Sequence, residues 1–417
     1  MTNRVGRAGA LGWAVVAISA VVYWLADRSF DAGRGDFFYL ADAFLHMRSW
    51  LDVQLGPFDQ IDIGGRIYVP FAPFPAIALM PVVAVLGAVQ ADHVESGINA
   101  ILAASTVGMC WWLLGRVGVA RLIDRLWLTI LFGFSTQILW VTTRGGVWHT
   151  GQLIATLLTF ACLLELWGKR RAWLIGLAAG AAFLTRAPLA FAIPIYAVML
   201  IGPPWRTGHV IQPPPTADPA ADPGAYIAPP SRRWPWRAWI LLALGALPAV
   251  AFFFFYNQVR FGSPLESGYA LAALPPFLEE QRAKGLFSIA HIPMNLDYFL
   301  IHLPTITNVF PYIQPDGLGL SVFVTSPGLL YALRADWHRS RSWWLAAAAV
   351  VVLIPTLLYY GGGWFQFGYR YFLDSVPFVM ALCGLAAAYR GRVGAGWKVL
   401  IAFGCLVMAF GVLWAHV

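Results

Sequence analysis

The stretch Ala238-Trp-Ile-Leu-Leu-Ala-Leu-Gly-Ala-Leu-Pro-Ala-Val-Ala-Phe-Phe-Phe-Phe-Tyr256 runs for nineteen residues without a charge, between Arg237 and Arg260. Roughly 20 apolar residues carry a helix across the ~30 Å hydrocarbon core of a bilayer. The rest of the chain has the same character. Of its 417 residues, 59% are hydrophobic and 12% charged, against about 25% charged in ordinary soluble domains. A soluble fold has no means of keeping so much apolar surface from water. The expected class is an all-α polytopic membrane protein forming a single unit over residues 1–417.

Further apolar runs lie at about 8–26, 71–90, 97–115, 126–141, 149–167, 172–185, 187–201, 318–333, 343–360, 372–389 and 398–416. The first is too long for a signal-peptide core, which has ~7–15 residues, and is read as an uncleaved span. The basic clusters Arg116/Arg121/Arg125, Lys169/Arg170/Arg171, Arg206/Arg232/Arg233/Arg237, Arg334/Arg339/Arg341 and Arg390/Arg392/Lys398 all fall on the cytoplasmic side if the run 71–90 does not cross. Pro70, Pro73, Pro75 and Pro81 disfavour a continuous helix there. About 11 spans follow, with a cytoplasmic N-terminus. The apolar stretch 286–311, broken by Pro293, His302 and Pro304, is left at the outer interface, within a second external loop at 257–317. Cys110, Cys162, Cys383 and Cys405 sit inside apolar runs and read as small buried hydrophobes, and no metal centre is expected from them.

Two loops depart from plain connections. Residues 202–237 are rich in proline and read as a cytoplasmic linker. The first external loop, 27–96, opens with seven aspartates by residue 62: Asp27, Asp31, Asp36, Asp42, Asp52, Asp59 and Asp62. Within it, 35–50 has helical periodicity. Phe37, Leu40, Ala41, Phe44 and Leu45 share one face, and Tyr39, Asp42, His46 and Ser49 the other. That pattern predicts a helix lying along the membrane surface. Asp36 falls in its first turn, where a carboxylate also suits the helix dipole.

An aspartate soon after the first span, a tyrosine, an amphipathic juxtamembrane helix and then Arg66-Ile-Tyr68-Val-Pro70-Phe-Ala-Pro73-Phe-Pro75 together resemble the GT-C superfamily of membrane glycosyltransferases. Protein O-mannosyltransferases and lipid A aminoarabinose transferases belong to it. The resemblance is sharpest over 35–90. Thr185-Arg186-Ala-Pro188, Tyr256-Asn257 with Arg260-Phe261-Gly262, and Phe367-Gly368-Tyr369-Arg370-Tyr371 add to it. Phe37 stands where several relatives carry a glutamate, and Phe71-Ala72-Pro73 where they carry a basic-Pro-Pro signature. The resemblance implies transfer of a sugar, with inversion, from a polyprenyl-phosphate donor to a hydroxyl on a glycan, lipid or protein acceptor at the outer face of a cytoplasmic membrane. No nucleic acid is expected as a partner.

The residue types suit that chemistry. A carboxylate takes the acceptor's proton, and the candidate is Asp36, with Asp59 and Asp62 as weaker alternatives. Cations stabilise the leaving phosphate, a task suited to arginine: Arg186, Arg370 and Arg66, with Arg144 behind them. Arg186 joins two runs too short to span, so it is expected below the membrane surface, facing an anion or a structural acid. Arg370 is placed to bind phosphate or to pair with Asp374 four residues on. Tyr39, Trp148, His149 and Tyr369 are candidates for sugar or acceptor contact, although aromatics also gather at membrane interfaces. No cofactor is required; a divalent metal on Asp36 with Asp59 or Asp62 is a minor alternative. The rival classes are a transporter or lipid flippase, and a non-catalytic assembly subunit. On this topology 18 basic and 5 acidic residues face the cytoplasm, and 10 and 15 the outside. The net charge of +8 then resolves into a basic anchoring face and an acidic working face.

Overall fold

The computed structural model describes residues 2–27, 35–201, 235–310, 312–363 and 365–414, with side chains from residue 6 onward. The proline-rich linker lies almost wholly outside the described residues, as do Asp31 and the basic residues 206, 232 and 233. The described chain is mostly helical, with two short β-hairpins as its only sheets.

In chain order, α1 (Thr2–Ala26) precedes a compact first-loop unit. That unit comprises α2 (Asp36–Leu45), the hairpin β1 (Ile61–Ile63) and β2 (Arg66–Tyr68), α3 (Phe74–Leu86) and α4 (Ala88–His93). The helices α5 (Glu95–Arg116), α6 (Leu122–Phe134), α7 (Gln137–Arg144), α8 (Val147–Leu166), α9 (Ala172–Phe183), α10 (Ala192–Met199) and α11 (Trp236–Phe261) follow. The second loop holds α12 (Pro276–Arg282), α13 (Ile292–Leu296), and the two-residue strands β3 (Thr305–Ile306) and β4 (Ile313–Gln314). The chain closes with α14 (Val322–Thr325), α15 (Ser340–Leu358), α16 (Val376–Arg390) and α17 (Ala395–Trp414).

Among the described residues, six helices are long and apolar enough to cross a membrane: α1, α5, α8, α11, α15 and α17. The pair α6 and α7, bent by 48° at its break, makes a seventh if it counts as one span. The other four apolar runs expected to cross fold as shorter pieces. The 318–333 run becomes α14 and the 3₁₀ segment Pro327–Arg334, because Pro327 after Ser326 ends the helix. The 372–389 run divides into the 3₁₀ turn Arg370–Asp374 and α16, which opens at Val376–Pro377. The runs 172–185 and 187–201 become α9, a 3₁₀ turn and α10.

Those last pieces form a hairpin. Arg170 Nη2, ahead of α9, donates to the carbonyl of Met199 at the end of α10, at 2.7 Å. The turn at Leu184–Arg186 therefore stands at the far tip. There the Leu184 carbonyl accepts from the amide of Phe74 at the start of α3. The proline-containing run expected not to cross begins at this tip, and at thirteen residues α3 is about 20 Å long, short of the hydrocarbon core.

Small residues let α9 lie against α11. A Cβ on Gly176 would fall on the Leu242 carbonyl, and one on Gly245 on the Trp173 carbonyl; at Gly180 it would come within 2.9 Å of Ala249. Backbones approach this closely in membranes where glycines recur four apart.

In the first loop the amphipathic prediction holds with adjustments. The helix is ten residues long and ends where Met47, in the left-handed region at φ 56°, turns the chain out. Phe37, Leu40 and Ala41 are buried as expected, and Phe38 joins them, whereas Leu45 is exposed. Their partners are Val69, Phe71, Ala76, Leu79 and Val83, so this helix packs on its own loop.

Candidate functional site

Between the first-loop unit, the α9–α10 hairpin and the ends of α8, α11 and α15 lies a cavity of about 630 Å³, within the size range of small-molecule sites. Its wall is largely apolar and aromatic, yet four arginines enter it: Arg144, Arg186, Arg260 and Arg370. Asp59, His149 and Asn257 are in the same wall.

Each guanidinium is held from behind. Arg186, at the hairpin tip, donates from Nε to both carboxylate oxygens of the fully buried Asp374 at 2.7 Å, and its guanidinium lies 5.1 Å from the Tyr371 ring. Arg260 comes from the last turn of α11, which Gly262 closes in the left-handed conformation. It donates to the Val69 carbonyl at 2.7 Å and to Asn257 Oδ1 at 2.8 Å, and it covers the Tyr256 ring at 3.8 Å. Arg370 donates from Nε to the Gly363 carbonyl at 3.0 Å and faces Gln152 Oε1 at 3.4 Å; Gln152 returns a bond to the Arg370 carbonyl. Arg144, at the end of α7, lies over Trp140 and Phe365. Arg260 and Arg370 are held by carbonyls, amides and ring faces, which do not cancel charge as the Asp374 carboxylate does for Arg186, so the wall suits an anion carried on an apolar body.

One rim is tyrosine. Tyr269, Tyr359, Tyr360 and Tyr371 line it, with Tyr359 in ring contact with the other three. Burial pushes the Tyr360 hydroxyl up to about 12 and raises Tyr269 as well. Both therefore keep their protons near neutrality and serve as donors.

The residues singled out from sequence divide into two groups. Arg186, Arg370, Trp148 and His149 line the cavity, and Arg144 joins them. Asp36, Tyr39, Arg66 and Tyr369 lie outside its described wall. Asp36 is fully buried and receives a long 3.5 Å hydrogen bond from Gln60 Nε2. Tyr39 packs within the first-loop unit. Arg66 sits at the exposed end of β2 with its guanidinium 4.3 Å from the Trp50 ring. Tyr369 is buried and bonds Asn295 Oδ1 and the Thr356 carbonyl, a latch between the second loop and α15. Asp374 pairs with Arg186 and not with Arg370, the alternative raised by the four-residue spacing.

Among the described lining residues the carboxylate is Asp59. It precedes β1 in the left-handed region at φ 56°. Its amide donates to the Ala273 carbonyl, and the Ala273 amide donates back to Gln60, tying the first loop to the second. Asp62, by contrast, accepts from the Gly65 amide in the exposed β1–β2 turn. Arg260 was missed as a site residue, although Asn257 and Arg260 share a helix face beside an apolar run. Tyr269, Tyr359 and Tyr360 carried no sequence signal. Among the described residues, no group of three or more His, Cys, Asp or Glu is placed to hold a metal ion. No family model, curated protein or solved structure matches this chain.

Proposed function

We propose that this chain is an integral membrane glycosyltransferase of the GT-C kind, moving a sugar from a polyprenyl-phosphate to an acceptor hydroxyl at the outer face of a cytoplasmic membrane. The observation that carries the reading is the convergence of Arg144, Arg186, Arg260 and Arg370 in one largely apolar cavity, which fits a phosphate attached to hydrocarbon. In this reading the guanidiniums take up the negative charge that grows on the phosphate as its bond to the anomeric carbon breaks. The acceptor oxygen attacks from the opposite face, giving inversion, and a carboxylate removes its proton. In this reading Asp59, which lines the cavity, takes that proton. Asp36 positions it from behind, through Gln60. The finer topology of about 11 crossings, with the shorter helices as partial spans, belongs to the same proposal.

The test is transfer of radiolabel from a defined polyprenyl-phosphate-hexose in proteoliposomes. Asp59→Asn is expected to lower transfer about 10²- to 10⁴-fold, and Asp36→Asn by a smaller factor. Loss with Asp36→Asn and full activity with Asp59→Asn would return the base role to Asp36. Movement of the lipid across the bilayer without glycosyl product would replace the proposal with the transporter reading, which the same cationic cavity also suits.

A further inference from the structure

The second loop carries a surface that the cavity does not use. Residues 303–315 hold no charge, and β3 and β4 pair within them, Thr305 with Gln314 and Ile306 with Ile313. Directly opposed residues of an antiparallel pair share one face, and their neighbours take the other. One face of the hairpin is therefore Ile306 and Ile313, and the other Thr305 and Gln314. The Thr307 amide donates to the Tyr312 carbonyl and the Tyr312 amide to that of Val309, closing the turn that carries Val309 and Phe310. Ile306 is 84% exposed, Phe310 77% and Val309 69%.

Both flanks of the hairpin are fastened to the ends of membrane-length helices. Before it, Asn295 Nδ2 donates to the carbonyls of Leu357 and Tyr359 at the end of α15. After it, Gln366 donates from its amide to the Gly317 carbonyl and from Nε2 to that of Leu318. A Cβ on Gly317 would fall on the Phe365 ring. Phe365 in turn stacks on Trp414, at the end of α17, with ring centroids 5.3 Å apart. Aromatic residues gather at the membrane–water interface, so the hairpin starts from that level.

The chemistry of the hairpin selects its surroundings. In water such an apolar face is an aggregation liability. In the hydrocarbon core the open edges of a two-stranded sheet would go unsatisfied. At the boundary between headgroups and acyl chains, the isoleucine face and the tip reach apolar surroundings while the threonine face and the strand edges stay hydrated. A protein partner fits less well. Strands of two residues offer few edge groups to a docking strand, and the hairpin falls short of the roughly 20–30 residues a side of a stable interface.

We propose that the hairpin 305–314 seats its Ile306–Ile313 face and its Phe310 tip in the bilayer surface, at the headgroup–acyl boundary. It thereby moors the second loop, whose Leu274, Leu278 and Phe287 line the cavity, to the lipid. The inference needs the membrane class of the chain and not the glycosyltransferase reading.

The experiment places a nitroxide label on Thr305→Cys, Ile306→Cys or Phe310→Cys, one at a time, in full-length protein in phosphatidylcholine nanodiscs. A zwitterionic lipid suffices because the stretch has no charge. The signal of labelled unaltered protein, which has four free cysteines, is subtracted. Oxygen concentrates in the bilayer and a nickel chelate in water. At 306 and 310 oxygen collisions are expected to exceed chelate collisions, and at 305 the order reverses. Equal responses at 305 and 306, or chelate reaching 310 as freely as 305, overturn the inference and leave the face to a protein partner. Spin–spin broadening at 310 that vanishes on dilution with unlabelled protein identifies a second copy as the occupant and overturns it too. A second measurement needs no substitution. Phosphatidylcholine bearing a diazirine near the top of its acyl chain is expected, on irradiation, to leave adducts between 306 and 313; adducts confined to the membrane-length helices overturn the inference.

Discussion

At the scale of single residues, the decisive contact is the ion pair between Arg186 and Asp374, whose carboxylate is fully buried. Removing one member of such a pair leaves the other as an uncompensated charge, at about 3–5 kcal/mol. Asp374→Asn is therefore expected to lower the thermal inactivation temperature in detergent well below that of an exposed control such as Asp62→Asn. Adding Arg186→Gln should recover part of the loss, because the stranded charge is gone. Inactivation temperatures of the single and double variants check this. Arg186 was legible in the sequence because a charge between two runs too short to span has few places to go. Its partner was not, since 188 residues separate the two and no local period links positions that far apart. The same limit applies to Asp36 and Asp59. Residue type and position after the first span favoured Asp36, but only the tertiary fold buries it against Gln60.

At the scale of elements, the α9–α11 contact depends on glycines at 176, 180 and 245. Gly176→Leu is expected to cost about 1–3 kcal/mol by overpacking and to reduce the yield of folded protein. Gly97→Ala, where an added Cβ meets nothing within 4 Å, should be neutral. Size-exclusion profiles and melting curves of the two variants read this out. The Gly176–Gly180 spacing was on view in the sequence, but spacing alone names no partner helix.

The second loop carries its own charge staple. His302 Nδ1 lies 2.9 Å from Asp297 and Nε2 2.8 Å from Asp316. Partial burial opposes the imidazolium, but hydrogen bonds to Asp316 and Asp297 outweigh it and raise the His302 pKa. A histidine with a raised folded-state pKa adds stability that is complete below the unfolded value of about 6.5 and is lost as pH rises through the folded value. Amide exchange over 297–316 should accordingly quicken as pH rises above about 6.5, after correction for intrinsic exchange. His302→Gln should remove that dependence.

At the scale of the whole molecule, the cavity draws its wall from both loops, the α9–α10 hairpin and the ends of several helices. A ligand seated there ties these parts together and binds the folded state alone. At a hundred times its Kd, a polyprenyl phosphate should add about 2.7 kcal/mol of stability, seen as a rise in melting temperature. An uncharged polyprenol of equal length should add less, and the difference measures the arginines' share. The sequence by itself determined the membrane class, the helical make-up, the special character of the first loop and the need of Arg186 for an anionic partner, because hydrophobic run length and charge placement are local quantities that a bilayer reads directly. Tertiary structure decided which apolar runs stay short, that Asp374 answers Arg186, that Arg260 and the tyrosine rim join the cavity, and that Asp59 rather than Asp36 faces it. Those outcomes depend on which distant segments share one desolvated space, where an unmatched charge or a missing contact costs more than any local preference supplies.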